Sequence, residues 1–169
     1  TVDADFVKTI RTRVPLDVHL MVHEPSDSYI KGFIDAGASS ITIHEEACRN
    51  AERQISFIKS NRIKAGISIK PKTQLERIKK YLKMVDMVLI MTVEPGWAGQ
   101  KFINETMPKV RELRDINRRI DIEVDGGINP YTVRVAYDEG ANVFVAGTSI
   151  FGKKDRAAAI LEILSSLKQ

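Results

Sequence analysis

The chain has 169 residues, 43% of them hydrophobic and 28% charged, with a net charge of +4 and one cysteine. Those figures suit one globular domain with a real core, since domains of this size bury about 70% of the surface their unfolded chain exposes, and they exclude a disordered or fibrous protein. No apolar run of about 18 residues or more is present, and the start, Thr1-Val2-Asp3-Ala4-Asp5, has no basic then apolar leader, so neither a membrane span nor a secretion signal is expected.

The lone Cys48 excludes an internal disulfide and, with no CxxC partner, a structural zinc cluster. A reducing, cytoplasmic location is the default, and the thiol reads as a bystander rather than a nucleophile. Lys and Arg are spread along predicted helices, as solvated faces. The short clusters Lys79-Lys80 and Arg118-Arg119 come without an aromatic platform, which argues against nucleic-acid binding, while a mildly basic surface favours an anionic metabolite.

Periodicity predicts a strict alternation: helix over 3–12, strand over 16–22, helix over 26–36, strand over 40–44, helix over 51–61 and strand over 65–69. It continues with helix 75–83, strand 87–93, helix 104–117, strand 121–125, helix 131–139, strand 142–146 and a closing helix over 155–167. Gly37 and Gly140 punctuate two helix C-termini just before the next strand, and Asn129-Pro130 reads as N-cap then first helical residue. Six strands in unbroken alternation, with no linker or shift in composition, imply one domain over 1–169 built on a parallel sheet.

An open doubly wound sheet and a (β/α)8 barrel both fit that pattern, although a barrel needs eight strands and usually at least about 200 residues. A start on a helix, short even units and Gly-rich ends on the last two strands favour the barrel, then short of two strands. No GxGxxG follows a strand, which counts against dinucleotide binding.

Parallel α/β folds place their sites at the C-terminal ends of strands. Leu16-Asp17-Val18-His19-Leu20-Met21 and Ile122-Glu123-Val124-Asp125-Gly126-Gly127 carry a His and an Asp there, about a hundred positions apart, and the two could share a divalent ion. The plain alternative for His19 is a core histidine satisfied by a carbonyl. Two ligands do not complete a catalytic site, which normally has at least three from the protein. His44, at another strand end, reads as a neighbour or structural residue more than a ligand, His23 as a loop residue, and Lys70 as either a phosphate partner or a solvated side chain. Met21 and Met91 could roof a reaction centre or simply fill the core.

Asp125-Gly126-Gly127-Ile128-Asn129 and Ala146-Gly147-Thr148-Ser149-Ile150 end adjacent strands with glycines that let backbone amides approach an anion. Glu94-Pro95-Gly96-Trp97-Ala98-Gly99-Gln100 is a third such loop, a lid or a further phosphate arm. Any one of these could be only a tight turn, but three at neighbouring strand ends point to a small phosphorylated molecule.

These residues resemble the ribulose-phosphate 3-epimerase family. The resemblance rests on Leu16-Asp17-Val18-His19-Leu20-Met21-Val22, on the stretch from Met91 to Phe102, on Glu123-Val124-Asp125-Gly126-Gly127-Ile128-Asn129, and on Val145-Ala146-Gly147-Thr148-Ser149-Ile150-Phe151, in the family's order and spacing. It implies a (β/α)8 TIM barrel of the ribulose-phosphate-binding type, apparently lacking its first two strands, and an isomerase of the pentose phosphate pathway. The implied reaction interconverts D-ribulose 5-phosphate and D-xylulose 5-phosphate through an enediolate, with one divalent metal ion (Zn, Fe, Mn or Co) as Lewis acid. By the same resemblance Asp125 is a catalytic acid/base and, with His19, a metal ligand. His19, Gly96, Trp97, Ala98, Gly99, Asp125, Gly126, Gly127, Gly147 and Thr148 then meet substrate or phosphate. The implied partners are a small sugar phosphate and further copies of the chain in a homo-oligomer, with no nucleic acid and no membrane.

The departures bear on activity. The family's first-strand serine and its His-x-Asp-x-Met-Asp-Gly segment, which supply a substrate contact, two metal ligands and the second catalytic Asp, are absent from this sequence. The chain therefore reads as the last three quarters of an epimerase, with exposed strand edges and the alternative of a catalytically incomplete phosphate-binding fragment. Ala98 and Gly147-Thr148-Ser149 also look like the sister allulose-6-phosphate 3-epimerases, whereas Asp125-Gly126-Gly127 and Lys70-Pro71 look more like the ribulose enzymes.

Overall fold

A computed structural model describes residues 2–97 and 99–168. It falls into two compact units, one formed by the chain up to Ser68 with Arg77–Met87, the other by Ile69–Glu76 with the chain from Val88 onward. The strands are β1 (Leu16–Leu20), β2 (Ala38–His44), β3 (Lys64–Ile69), β4 (Met87–Met91), β5 (Asp121–Asp125) and β6 (Val143–Val145). The α-helices are α1 (Ala4–Thr9), α2 (Asp27–Asp35), α3 (Ala51–Ser60), α4 (Met107–Ile116), α5 (Pro130–Asp138), α6 (Thr148–Phe151) and α7 (Arg156–Ser166). Sheet order follows chain order, β1-β2-β3-β4-β5-β6, and the pairs β1/β2, β2/β3 and β5/β6 are parallel. This is the barrel topology expected from the sequence, with six of the eight strands of a full (β/α)8 barrel among the described residues.

Helix starts follow side-chain chemistry. Ser26 Oγ accepts from Tyr29 N–H to open α2, Asn50 caps α3 through Arg53 N–H, and Asp155 caps α7 through Ala158 N–H, each cap contributing about 1 kcal/mol. α5 opens on a full capping box: Asn129 Oδ1 accepts from Tyr131 and Thr132 N–H, and Thr132 Oγ1 accepts from Asn129 N–H.

Three elements differ from the sequence expectation. The helix expected over 75–83 is a 3₁₀ segment, Leu75–Tyr81. Its buried residues Leu75, Ile78 and Tyr81 are spaced by three, a stripe that a helix of three residues per turn lines up on one face. The helix expected from 104 begins with a 3₁₀ turn, Asn104–Thr106, and becomes α-helical at Met107 because Pro108 fits only a first turn. The short α6 was not expected, since one turn leaves no periodicity to read.

In the first unit β2 is buried on both sides. Ile41 and Ile43 alternate with Ser40, Thr42 and His44, none of the five more than 8% exposed. α2 and α3 both pack on β2, contributing the fully or nearly fully buried Ile30, Phe33, Ile55 and Ile58, each worth about 1.5–3 kcal/mol of burial. The polar row continues onto β1, where Ser40 Oγ donates to Asp17 Oδ1 at 2.5 Å, and onto β3, where Thr42 pairs with Gly66 and His44 with Ser68.

Gly66 is required by that row rather than by its own backbone. A Cβ there would lie 2.2 Å from Thr42 Oγ1, and Thr42, fully buried and β-branched, has little freedom to turn away. Gly66→Ala is therefore expected to cost about 1–3 kcal/mol in urea unfolding, and markedly less when Thr42→Ala is already present. Equal cost in both backgrounds would show that the overlap with Thr42 is not the cause.

Candidate functional site

In the second unit the end of β5 is held by one residue. Thr92, fully buried just past β4, donates its N–H to Asp125 O at 2.9 Å and its hydroxyl to Gly126 O at 2.6 Å. Its own carbonyl accepts from Ile103 N–H at 2.8 Å, which draws the returning segment alongside. Asp125, half-buried, thus stands on a backbone fixed from both sides. The chain then turns through Gly126 at φ 128° and Gly127 at φ 67°. Neither position tolerates a side chain: a Cβ on Gly126 would lie 2.5 Å from Val93 Cγ2, and one on Gly127 2.6 Å from the backbone nitrogen of Phe102.

Beside this turn opens a cleft of about 620 Å³ whose polar lining includes Asn129, Thr148, Ser149 and Lys153. Among the described residues its charged lining is Lys101, Lys153 and Glu162. Ser149 Oγ is buried with no hydrogen-bond partner among the described residues, a polar atom whose bond is left unmade. α6 opens on Gly147, which has no side chain to cap the first amides, whereas the first amides of α5 are already taken by Asn129. Side-chain capping therefore differs between the two helix starts, present at α5 and absent at α6.

Of the residues picked from the sequence, Gly99, Gly127 and Thr148 line this cleft together, while Gly96, Trp97, Asp125, Gly126 and Gly147 are not among its lining residues. Ala98 lies outside the described residues. Trp97 is exposed on a loop pinned by Gln100, whose side-chain amide donates to Glu94 O at 2.6 Å and Trp97 O at 2.9 Å. Met91 is buried with Leu89 and Val93 in the core, whereas Met21 is exposed. Lys70 is exposed at the end of β3.

In the first unit His19 and Asp17 line a separate, mostly apolar cleft of about 500 Å³ walled by Leu16, Val18, Leu20, Met21, Tyr29 and Phe33. His19 Nε2 lies 2.8 Å from His44 Nε2, with the rings stacked at 4.9 Å and 23° between planes. His19 is thus not merely the core histidine bonded to a carbonyl. The strand phase already contained this pairing, because Ser40, Thr42 and His44 share a face and that face bonds to Asp17 and His19. Ser149, Lys153 and Thr92 are the other site residues that motif reading did not single out. Cys48 is no nucleophile at neutral pH: burial, then the charges of Glu24, Glu45 and Glu46, push its thiol up to about 12.

Comparison with known proteins fits these features to one family. Residues 1–151 match the sequence model described as "Ribulose-phosphate 3 epimerase family". The chain is 42% identical to the ribulose-phosphate 3-epimerase of Bacillus subtilis (strain 168), an alignment covering 98% of this chain and 79% of that protein. It is 44% identical to the cytoplasmic isoform from Oryza sativa subsp. japonica, over 100% of this chain and 75% of the relative, and 41% identical to the Escherichia coli (strain K12) enzyme, over 90% and 69%. Among solved structures, 3-hexulose-6-phosphate synthase from Salmonella typhimurium superposes with a TM-score of 0.77 at 21% identity, over 98% of this chain and 80% of that one. The 3-keto-L-gulonate-6-phosphate decarboxylase from Vibrio cholerae gives 0.75 at 17%, over 98% and 78%. Those structural likenesses establish the fold, and no helix among the described residues is long and apolar enough to cross a membrane. With more than two fifths of its residues identical to such enzymes, the chain belongs to the ribulose-phosphate 3-epimerase family of isomerases.

Proposed function

We propose that the chain serves the interconversion of D-ribulose 5-phosphate and D-xylulose 5-phosphate through an enediolate, with Asp125 as the group that moves the proton on C3. The observation that carries this reading is the fixed end of β5: a half-buried carboxylate held by Thr92, followed at once by the Gly126-Gly127 turn into the cleft of Thr148, Ser149 and Lys153. In one direction the Asp125 carboxylate takes the proton from C3, and the electron pair of that C–H bond moves into the C2 carbonyl to give the enediolate. Return of a proton to the opposite face of C3 completes the inversion; the second Asp that the family resemblance implies for that step is absent from this sequence, so water is the donor on that face in this reading.

The phosphate is read into the cleft. The Lys153 ammonium supplies charge, the Ser149 hydroxyl a buried donor, and the uncapped first turn of α6 further N–H groups. Gly99, Gly127 and Thr148 give the close backbone approach.

A divalent ion belongs to the same reading. By the family resemblance His19 and Asp125 are each a donor of a type, imidazole and carboxylate, that Zn, Fe, Mn and Co all accept. The number of donors is short of a full cage, since no group of three or more His, Cys, Asp or Glu side chains placed to hold a metal occurs among the described residues. When bound, such an ion supplies Lewis-acid stabilisation of the developing oxyanion.

Turnover of ribulose 5-phosphate by the 169-residue chain, with Zn, Mn or Fe added, is expected to fall about 10²–10⁴-fold in kcat on Asp125→Asn. No turnover by the folded wild-type chain would make it a catalytically incomplete phosphate-binding fragment, an unchanged kcat in the variant would remove Asp125 from the role, and faster turnover of allulose 6-phosphate would change the sugar. Ser149→Ala is expected to raise KM for the phosphorylated sugar about 10–100-fold with little change in kcat, the cost of a lost hydrogen bond to a charged group. An unchanged KM would place the phosphate elsewhere.

A further inference from the structure

We propose that His44 and Glu46 form a positioning relay that holds His19 as its Nε2–H tautomer, making Nδ1 the acceptor nitrogen of that ring. Three observations in the first unit carry it. The Nε2 atoms of His19 and His44 stand 2.8 Å apart, with the ring planes 23° from parallel. His44 is 3% exposed, and its Nδ1 is buried with no hydrogen-bond partner among the described residues. Glu46 Oε2 faces that Nδ1 at 3.5 Å.

With both rings neutral, one proton lies between the two Nε2 atoms, and either ring can own it. If His44 owned it, His44 Nδ1 would present a lone pair to the Glu46 carboxylate, two electron-rich groups facing each other out of water. If His19 owns it, His19 Nε2–H donates to His44 Nε2, and His44 Nδ1 carries a proton toward the carboxylate, so every neighbouring pair is complementary. Glu46 therefore sets the direction of the whole chain, because a carboxylate beside one imidazole nitrogen fixes the tautomer through to the next ring.

The pairing also explains the register. His19 stands opposite Thr42 in the ladder, and His44 is one place further along the same face of β2, so the imidazoles meet on the diagonal, edge to edge through their Nε2 atoms. Thr42 occupies the direct position, leaving His44 at the strand end next to the 3₁₀ turn Glu45–Ala47 that carries Glu46. Within that turn Glu45 is engaged elsewhere, accepting from Arg77 Nε and an Arg77 terminal nitrogen at 2.8 and 2.9 Å, and this anchors the segment from which Glu46 reaches back.

The tautomer stands by itself; its consequence rests on the reading of His19 as a metal donor. A ligating imidazole whose second nitrogen donates to a fixed acceptor is held in orientation and made more basic, and loss of such a partner typically weakens metal binding about 10–100-fold. His44 is then a positioning residue that acts through His19.

Two measurements test this on the 169-residue protein. Two-bond proton–nitrogen correlation spectra of ¹⁵N-histidine-labelled chain, which has only three histidines, are expected to show His19 protonated at Nε2 and His44 protonated at Nδ1, with that preference lost in Glu46→Gln. A proton on His44 Nε2, or a doubly protonated His44, overturns the relay without reference to any metal. Cobalt(II) titrations at fixed pH are expected to give Kd values about 10–100-fold weaker for His44→Phe, with His44→Gln, whose amide oxygen can accept from His19, in between, and no binding for His19→Ala. Equal affinity in wild type and both His44 variants overturns the positioning role, and complete loss in His44→Gln would make His44 a ligand instead. If wild type binds no cobalt, His19 is not a donor and the metal reading falls, while the tautomer spectra still decide the relay. Should His44→Phe fail to fold, the wild-type and Glu46→Gln spectra remain decisive.

Discussion

Ile41 and Ile43 fill one side of β2 while Ser40, Thr42 and His44 stand on the other, and neither side is open to water. A strand in that position cannot slip its register by one residue without driving three polar side chains into the helix layer and two isoleucines into the polar row. The same constraint brings Asp17 to Ser40 and His19 to His44, because β1 is laid against β2 in parallel and shares its phase. Chemistry in the first unit is thus a by-product of strand parity: whatever polar residue ends the row arrives next to the polar residue that ends its neighbour. Gly66 is the matching concession on β3, a missing side chain where Thr42 needs room.

The second unit solves the same problem by clamping instead of packing. β4 is buried throughout and contributes only bulk, so the residue that matters follows it. Thr92 uses its amide, hydroxyl and carbonyl at once, tying Asp125 and Gly126 on one side and Ile103 on the other. Under the proposed reading, rigidity there is useful because a carboxylate that must reach one carbon of a small sugar loses rate steeply with small displacements. The positive-φ glycines then let the chain leave the strand sharply.

Much of this was legible in the sequence, and for identifiable reasons. The alternation of strands and helices came through because apolar spacing changes from two to between three and four at nearly every boundary, and Asn129-Pro130 and Ser26 announce their helices by side chains that can do little else there. His19 and Asp125 were legible as polar residues at the ends of apolar strands. Leu75, Ile78 and Tyr81 misled only in helix type, since a spacing of three suits both a loose α stripe and a 3₁₀ one. What stayed hidden depended on tertiary proximity: the His19–His44 stack joins residues 25 positions apart, the Thr92 hydroxyl looks like any strand-end threonine, and Ser149 and Lys153 acquire meaning only once α6 forms a one-turn helix beside the β5 turn.

Hydrogen-bond supply also differs between the two Gly-rich strand ends of the second unit. A helix N-terminus is a ready anion site only while its amides are unclaimed. α5 has spent its own: Asn129 Oδ1 takes two of its amides, and Thr132 Oγ1 is bonded to Gly127 O and to Asn129 N–H. Its start is thereby closed to a ligand, and what it contributes is a stiff support for the Gly126-Gly127 turn. The segment after β6 is built the opposite way, with Gly147 where a capping side chain would stand, a buried Ser149 hydroxyl and Lys153 on the cleft wall. Two adjacent strand ends that look equivalent as Gly-rich motifs thus differ in structure: the first carries a side-chain-capped helix start, and the second a helix start without a side-chain cap.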